Sequence, residues 1–182
     1  MQGVFSRLID EKPMIRYIIK YQLAEVLIFY HSMKTIMIQK TDETTNEVEG
    51  NQAWKAFFDA DRFAVENGCR IIEAAPGYAK IQLEITPHHH NAVGITQGGA
   101  LYTLADFAFA VASNAANEKV VGTSTYMNYF KATRSGILTA TAKEISRSRK
   151  LSTVEVKITD EQGVLIAQFQ GNGYVLGGAL LD

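Results

Sequence analysis

The apolar positions from residue 69 onward follow two different periods, and each change of period marks a new element. CRIIEAA and YAKIQLEIT flank Pro76-Gly77. In the second segment Ala79, Ile81, Leu83 and Ile85 alternate with Tyr78, Lys80, Gln82 and Glu84. That period of two is a strand with one face on a core, and the pair reads as a β-hairpin. The alternation stops in GGALYTLADFAFAVASNA, residues 98–115, which is apolar on every side and predicts one long buried helix. Four further strands follow: VVGTSTYMNYF, ILTATAKEISRS, LSTVEVKITD and VLIAQFQGNGYVL. Their separators, TRSG, Arg149-Lys150 and EQG, are as short as an antiparallel meander requires. Val154, Val156 and Ile158 face one way; Glu155, Lys157 and Thr159 face the other.

Upstream, AWKAFFDADRFAVENG has a short helical pattern, with Trp54, Phe57, Phe58 and Phe63 towards the core and Gly68 as its stop. Residues 41–52, TDETTNEVEGNQ, are too polar for a core and read as a linker or a frayed helix start. Residues 14–38 are rich in Ile, Tyr and Leu but carry Arg16, Lys20, Glu25, His31 and Lys34. Those charges speak against a membrane span and a secretory signal. Two readings stay open: an amphipathic helix packed on a partner or on the body of the protein, or translation that begins at Met33 or Met37. The expected organisation is an N-terminal extension over residues 1–50, helical or disordered, and one domain over residues 51–182.

A hairpin, an all-round apolar helix and four antiparallel strands make an α+β fold. A helix of that kind must be enclosed, and a curved antiparallel sheet wrapped around it does so. Such a wrap leaves the sheet edges and the far face of the helix asking for a second copy.

The 182 residues suffice for one real core. A net charge of −1 supplies no overall field for nucleic acid or anionic lipid. The single cysteine, Cys69, rules out an internal disulfide framework and fits a reducing cytoplasm. With no partner motif around it, it reads as a buried small residue.

Chemistry concentrates in the helix, where Asp106 is the one charge. An unpaired buried carboxylate is costly, so Asp106 is either hydrogen-bonded across an interface or used for catalysis. Gly98 and Gly99 open the helix, where free amides and the dipole favour a developing oxyanion; tight packing against the sheet is the plainer alternative. Asp106 lies eight residues after Gly98, about 12 Å along a helix. One reacting carbon cannot touch both, so if both act they come from different subunits, with the two helices antiparallel. Asn91 and Gln97 either hold a water or a carbonyl through their amides, or serve as a turn residue and a helix-cap neighbour. His88-His89-His90 lacks nearby Cys or acidic partners at ligand spacing and reads as a solvated loop, so no metal site is expected. GNGYVLGG opens no helix and is no phosphate loop, and no GxSxG elbow is present.

The pattern N-x(5)-Q-G-G-A-L-x-x-L-A-D-x-A-F-A-x-A-x-N resembles the core motif of hotdog-fold thioesterases of the phenylacetyl-CoA type, as do TYMNYFKAT and QFQGNGYVLG. The resemblance runs from about Trp54 to Gly177. It implies a hotdog fold and hydrolysis of an acyl- or aryl-CoA, as in phenylacetate degradation, with no cofactor beyond the coenzyme A of the substrate. Asp106 would activate water or attack the thioester, from the neighbouring subunit of a homodimer or homotetramer. Gly99, with Gly98 or Gln97, would supply the amide that polarises the carbonyl, and Asn91 would position the carbonyl or the water. Thr123 or Ser124, on the strand opposite, would help hold that water. Arg147, Arg149 and Lys150 would meet the coenzyme A phosphates, or form an ordinary solvated basic turn. The family usually has His where this chain has Gln97; glutamine can place a carbonyl through its N–H but cannot shuttle protons. FKAT, residues 130–133, also departs from the usual Arg-Pro or Ser-Pro.

Two alternatives accompany the thioesterase reading. One is a non-catalytic acyl-thioester binding protein on the same fold, with Gln97 as the mark of lost chemistry. The other is an enoyl-thioester hydratase, which the lack of a histidine on the helix disfavours. Phe107, Phe109, Tyr126 and Tyr129 read as core or as an aromatic acyl pocket.

Overall fold

Asp61 accepts a hydrogen bond from the Ala64 N–H and starts α1, Arg62–Glu66, in the computed structural model, which describes residues 55–181. The expectations for residues 1–50 and for Trp54 lie outside that range. The single helix expected over residues 53–68 is broken: residues 55–59 are helical, the chain turns, and α1 begins anew at the Asp61 cap. The break rotates the aromatic side chains. Phe58 is buried and sets its ring 6.3 Å from Phe107, whereas Phe57 is 42 % and Phe63 69 % exposed. Neither Phe57 nor Phe63 is core. Gly68 does end the segment, at φ +88°.

The hairpin stands as predicted. Strand β1, Arg70–Ala75, pairs with β2, Tyr78–Ile85, and the turn between them docks on the long helix through Gly77 N–H to the Ala112 carbonyl at 3.1 Å. A 3-10 turn, Pro87–His89, leads to α2, Gly98–Asn114. Strands β3 (Glu118–Tyr129), β4 (Gly136–Arg147), β5 (Leu151–Thr159) and β6 (Leu165–Ala179) follow.

The strand order corrects the expected meander. The sheet runs β1-β2-β4-β5-β6-β3, all neighbours antiparallel. TRSG is therefore not a hairpin turn: β3 pairs with β6 at one edge, and β4 enters beside β2. So few residues can make this crossing because the sheet curls round α2. Phe130 N–H reaches the Ile166 carbonyl on one side, and the Thr133 carbonyl accepts from Thr96 N–H on the other.

The core lies between α2 and the concave face of the sheet. Ala79, Ile81, Leu83, Leu138, Ala140, Ala142, Val154, Val156, Ile158 and Phe169 meet Leu104, Ala105, Ala108 and Val111, all essentially without solvent contact. Alanines on both sides allow the helix to sit close to the sheet. β6 makes room for the larger rings: a Cβ at Gly171 would lie 2.7 Å from the Phe109 ring, and one at Gly173 2.5 Å from Val120. Burying Phe169 contributes about 2–3 kcal/mol.

The helix is not enclosed all round. Gly99, Tyr102 and Asp106 are exposed and Thr103 and Ala110 partly so, a stripe along one face beside β3. Among the described residues β3 has a partner only on its β6 side.

Candidate active site

The start of α2 is fixed by its surroundings. Thr96 bonds Thr133 through backbone and side chain, Gln97 N–H donates to the His89 carbonyl, and Tyr129 Oη donates to the Gly98 carbonyl at 3.3 Å. Gln97 caps the helix, with extended backbone and Oε1 accepting from Ala100 N–H at 3.2 Å. That side chain folds back over Gly99, where a Cβ would sit 2.5 Å from Oε1. The amides of Gly98 and Gly99 have no acceptor among the described residues. They are two oriented N–H donors at the positive end of a 17-residue helix.

Asn91 joins this end of the helix. Its Oδ1 accepts from Val93 and Ile95 N–H groups, the turn role, while its Nδ2 has no partner among the described residues. Turn and ligand roles therefore use different atoms of one side chain.

Asp106 lies seven residues beyond Gly99, about 10 Å along the axis. The expectation of a carboxylate buried in its own chain is corrected: Asp106 is exposed, on the open stripe. Its pKa is nevertheless raised above the ordinary carboxylate value, first by loss of hydration against the surrounding protein and then by the negative charge of Asp61. It makes no hydrogen bond among the described residues and opens on a groove of about 420 Å³ with Thr123, Ser124 and Thr125 on the far wall. Ser124 Oγ accepts from Asn172 Nδ2, so its own hydroxyl proton is free to donate. Thr123 donates to the Asn172 carbonyl.

The sequence reading missed two residues here. Tyr102 Oη and Thr125 Oγ1 are 2.8 Å apart and bridge helix and strand beside Asp106. Their signal was present in the four-residue spacing of Tyr102 and Asp106 on one helix face, but only the register of β3 supplies Thr125.

The basic residues part company. Arg147 is taken up within the subunit, bonding Glu118, Glu144 at 2.8 Å and the Ser113 carbonyl at 3.4 Å. Lys150 lies over the Tyr174 ring at 5.2 Å, and Arg149 is exposed. All three stand at the C-terminal end of α2, opposite Gly98.

Of the histidine run, expected as a solvated loop, His88 is exposed and His90 half-exposed, but His89 is not solvated. His89 is buried, its Nδ1 accepting from Thr86 N–H and its Nε2 set 2.9 Å from the Asn67 carbonyl. His90 Nε2 reaches the Arg134 carbonyl at 2.7 Å. Among the described residues no three His, Cys, Asp or Glu side chains converge to hold a metal. Burial pushes the Cys69 thiol up to about 12, which leaves it inert. The four aromatics divide: Phe107 and Phe109 are core, and Tyr126 and Tyr129 are exposed on β3. No helix among the described residues is long and apolar enough to cross a membrane.

Comparison with known proteins identifies the family. Residues 93–167, from the loop before α2 into β6, match the family model of the thioesterase superfamily. The chain is 28 % identical to the acyl-coenzyme A thioesterase PaaI of Escherichia coli, over 71 % of this chain and 96 % of that one. It is 31 % identical to the 1,4-dihydroxy-2-naphthoyl-CoA hydrolase of Listeria monocytogenes, over 54 % and 83 %. A solved variant of the phenylacetic acid degradation protein PaaI from Thermus thermophilus superposes with a TM-score of 0.61 at 36 % identity, covering 64 % of this chain and all of that one. With a hotdog wrap, a Gly-Gly helix start and this relatedness in one molecule, the chain belongs to the thioesterase superfamily.

Proposed function

We propose that this protein hydrolyses acyl-coenzyme A thioesters to free acid and coenzyme A, at a site shared by two subunits. The observation that carries this reading is the open stripe of α2, with two unpartnered amides at one end and a carboxylate of raised pKa about 10 Å along it. The separation is too long for one reacting carbon and suits two antiparallel copies, each bringing its Asp106 to the other's Gly98 and Gly99. The unpaired edge of β3, with Val121, Tyr126 and Tyr129 exposed, supports a second copy at this face.

The thioester carbonyl sits on the Gly98 and Gly99 amides, aided by Nδ2 of Asn91 and Nε2 of Gln97. The partner's Asp106 takes a proton from a water held against the Ser124 hydroxyl. The water oxygen attacks the carbonyl carbon, and the amides stabilise the oxyanion that forms. Collapse of that intermediate breaks the C–S bond, and the leaving thiolate recovers the proton from Asp106. A raised pKa suits Asp106 to this work, because a stronger base removes the water's proton more readily. Antiparallel helices also carry the basic turn of one subunit towards the amides of the other. Arg149 and Lys150 then reach the coenzyme A phosphates, with Arg147 holding the turn in place.

Thiol release from a panel of acyl-CoAs tests this. Asp106→Asn keeps the shape and removes the base, and should cost about a hundredfold or more in rate with fold and self-association unchanged. Saturable binding by the wild type without any thiol release would instead identify a binding protein.

A further inference from the structure

Beside the Asp106 groove, on the other side of Tyr102, a second cavity of about 450 Å³ opens at Gly99. Ala100, Tyr102 and Thr103 form one wall; Phe63, Asn67 and His88 form the opposite one. The first wall falls within residues 93–167, the stretch matched by the family model; the second does not. Phe63 is the large apolar group of that second wall. Its ring is 69 % exposed although it stands on a short helix anchored by the Asp61 cap and packed on α2. It contributes nothing to the core, so its burial is available to a ligand.

We infer that Phe63 is a specificity-determining residue: its ring closes the acyl cavity and sets the longest acyl group that the site accepts. The inference rests on the carbonyl being held at Gly98 and Gly99. From that point the acyl group has two directions. The Asp106 groove of the same subunit carries the carboxylate and the hydroxyls of Thr123, Ser124 and Thr125 beside Phe109, Ala110 and Val120, and serves the other of the two shared sites. The second cavity, which has Tyr102 in common with it, opens at Gly99 itself and offers the Phe63 ring and the methyl of Ala100. Each methylene that enters an apolar cavity improves binding about fourfold, until the chain end meets the ring. Beyond that length overpacking reverses the gain.

The test uses straight-chain acyl-CoAs from two to twelve carbons, with kcat/KM measured on the full chain and Kd on the Asp106→Asn variant. Phe63→Ala should move the break in both profiles to longer chains by about two to three carbons and leave acetyl-CoA within about twofold. Phe63→Trp should move it the other way. Fold and self-association stay as in wild type, because the ring is exposed. A uniform loss at all lengths, an unmoved break or a loss of self-association would overturn the role of Phe63. A break that follows Phe63 in Kd while no variant, wild type included, turns over would keep the size role and overturn hydrolysis.

Discussion

At the C-terminal end of α2, Asn114 bonds the Ala110 and Val120 carbonyls and accepts from Val120 N–H, and Arg147 reaches the Ser113 carbonyl. At the N-terminal end, Gly98 and Gly99 present N–H groups with no acceptor among the described residues. Both ends belong to the same helix on the same sheet. Satisfied ends stabilise a fold, and an unsatisfied end rigidly held by its neighbours suits the oxyanion role proposed above. The clamps on Thr96, Gln97 and Tyr129 supply that rigidity.

This contrast is sharpest when each end is damaged in turn. The Gly98→Pro/Gly99→Ala double variant removes one N–H and shields the other while keeping residues that a first helical turn accepts. Gln97 already has ψ 136°, as a residue before proline needs. Thiol release should fall about a hundredfold or more, and the Cβ added at position 99, which pushes Gln97 Oε1 off its cap, should cost about 1 kcal/mol of stability. At the other end, Asn114→Ala orphans the buried N–H and carbonyl of Val120. It should cost about 2–3 kcal/mol in denaturant unfolding and leave kcat/KM of the folded protein within about twofold. If the N-terminal change destabilised more than the C-terminal change, and the C-terminal change inactivated, the contrast would be void.

A smaller effect concerns Asp106 itself. Because its carboxyl is held above the ordinary value, kcat/KM should drop on acidification at a higher pH than a free aspartate would give. Asp61→Asn keeps a good helix cap and removes a negative charge, so the acid limb should move to lower pH. Stability shows the same sign. Between the ordinary and the raised pKa the folded chain keeps a proton that the unfolded chain has lost, so this contribution is present on the acid side and disappears as pH rises through the raised value. Asp106→Asn should remove that slope.

Elements set by local periodicity were readable from the residues, and elements set by distant pairing were not. Ala79 to Ile85 alternate because one strand face is buried, and the all-apolar run of α2 announced a central helix. The place of β3 beside β6 depends on how the sheet closes around that helix, which TRSG does not encode. Asp106 looked buried because its neighbours in sequence are apolar; its exposure comes from the rotation that turns Gly99, Tyr102 and Asp106 to one side. The helical spacing of residues 53–68 points Phe63 towards the core, but the Asp61 cap starts a new helix just before it and turns the ring outward. His89 looked like a loop residue because its partners, Thr86 and Asn67, meet it only through the 3-10 turn. Of the candidate site residues, the Gly-Gly pair and the lone carboxylate stand out in the sequence, whereas Thr125 requires the register of β3.

The proposed sharing of the site between subunits is tested most directly by mixing two inactive chains. Asp106→Asn retains the amides, and Gly98→Pro/Gly99→Ala retains the carboxylate. Dissociated, combined in equal amounts and reassociated, they form mixed dimers in which one of the two sites has both intact parts. Thiol release should return to roughly a quarter of the wild-type rate, as random pairing of a two-fold dimer dictates. No recovery, with mixed dimers demonstrated by differently tagged chains, would mean that Asp106 and the amides do not act across subunits.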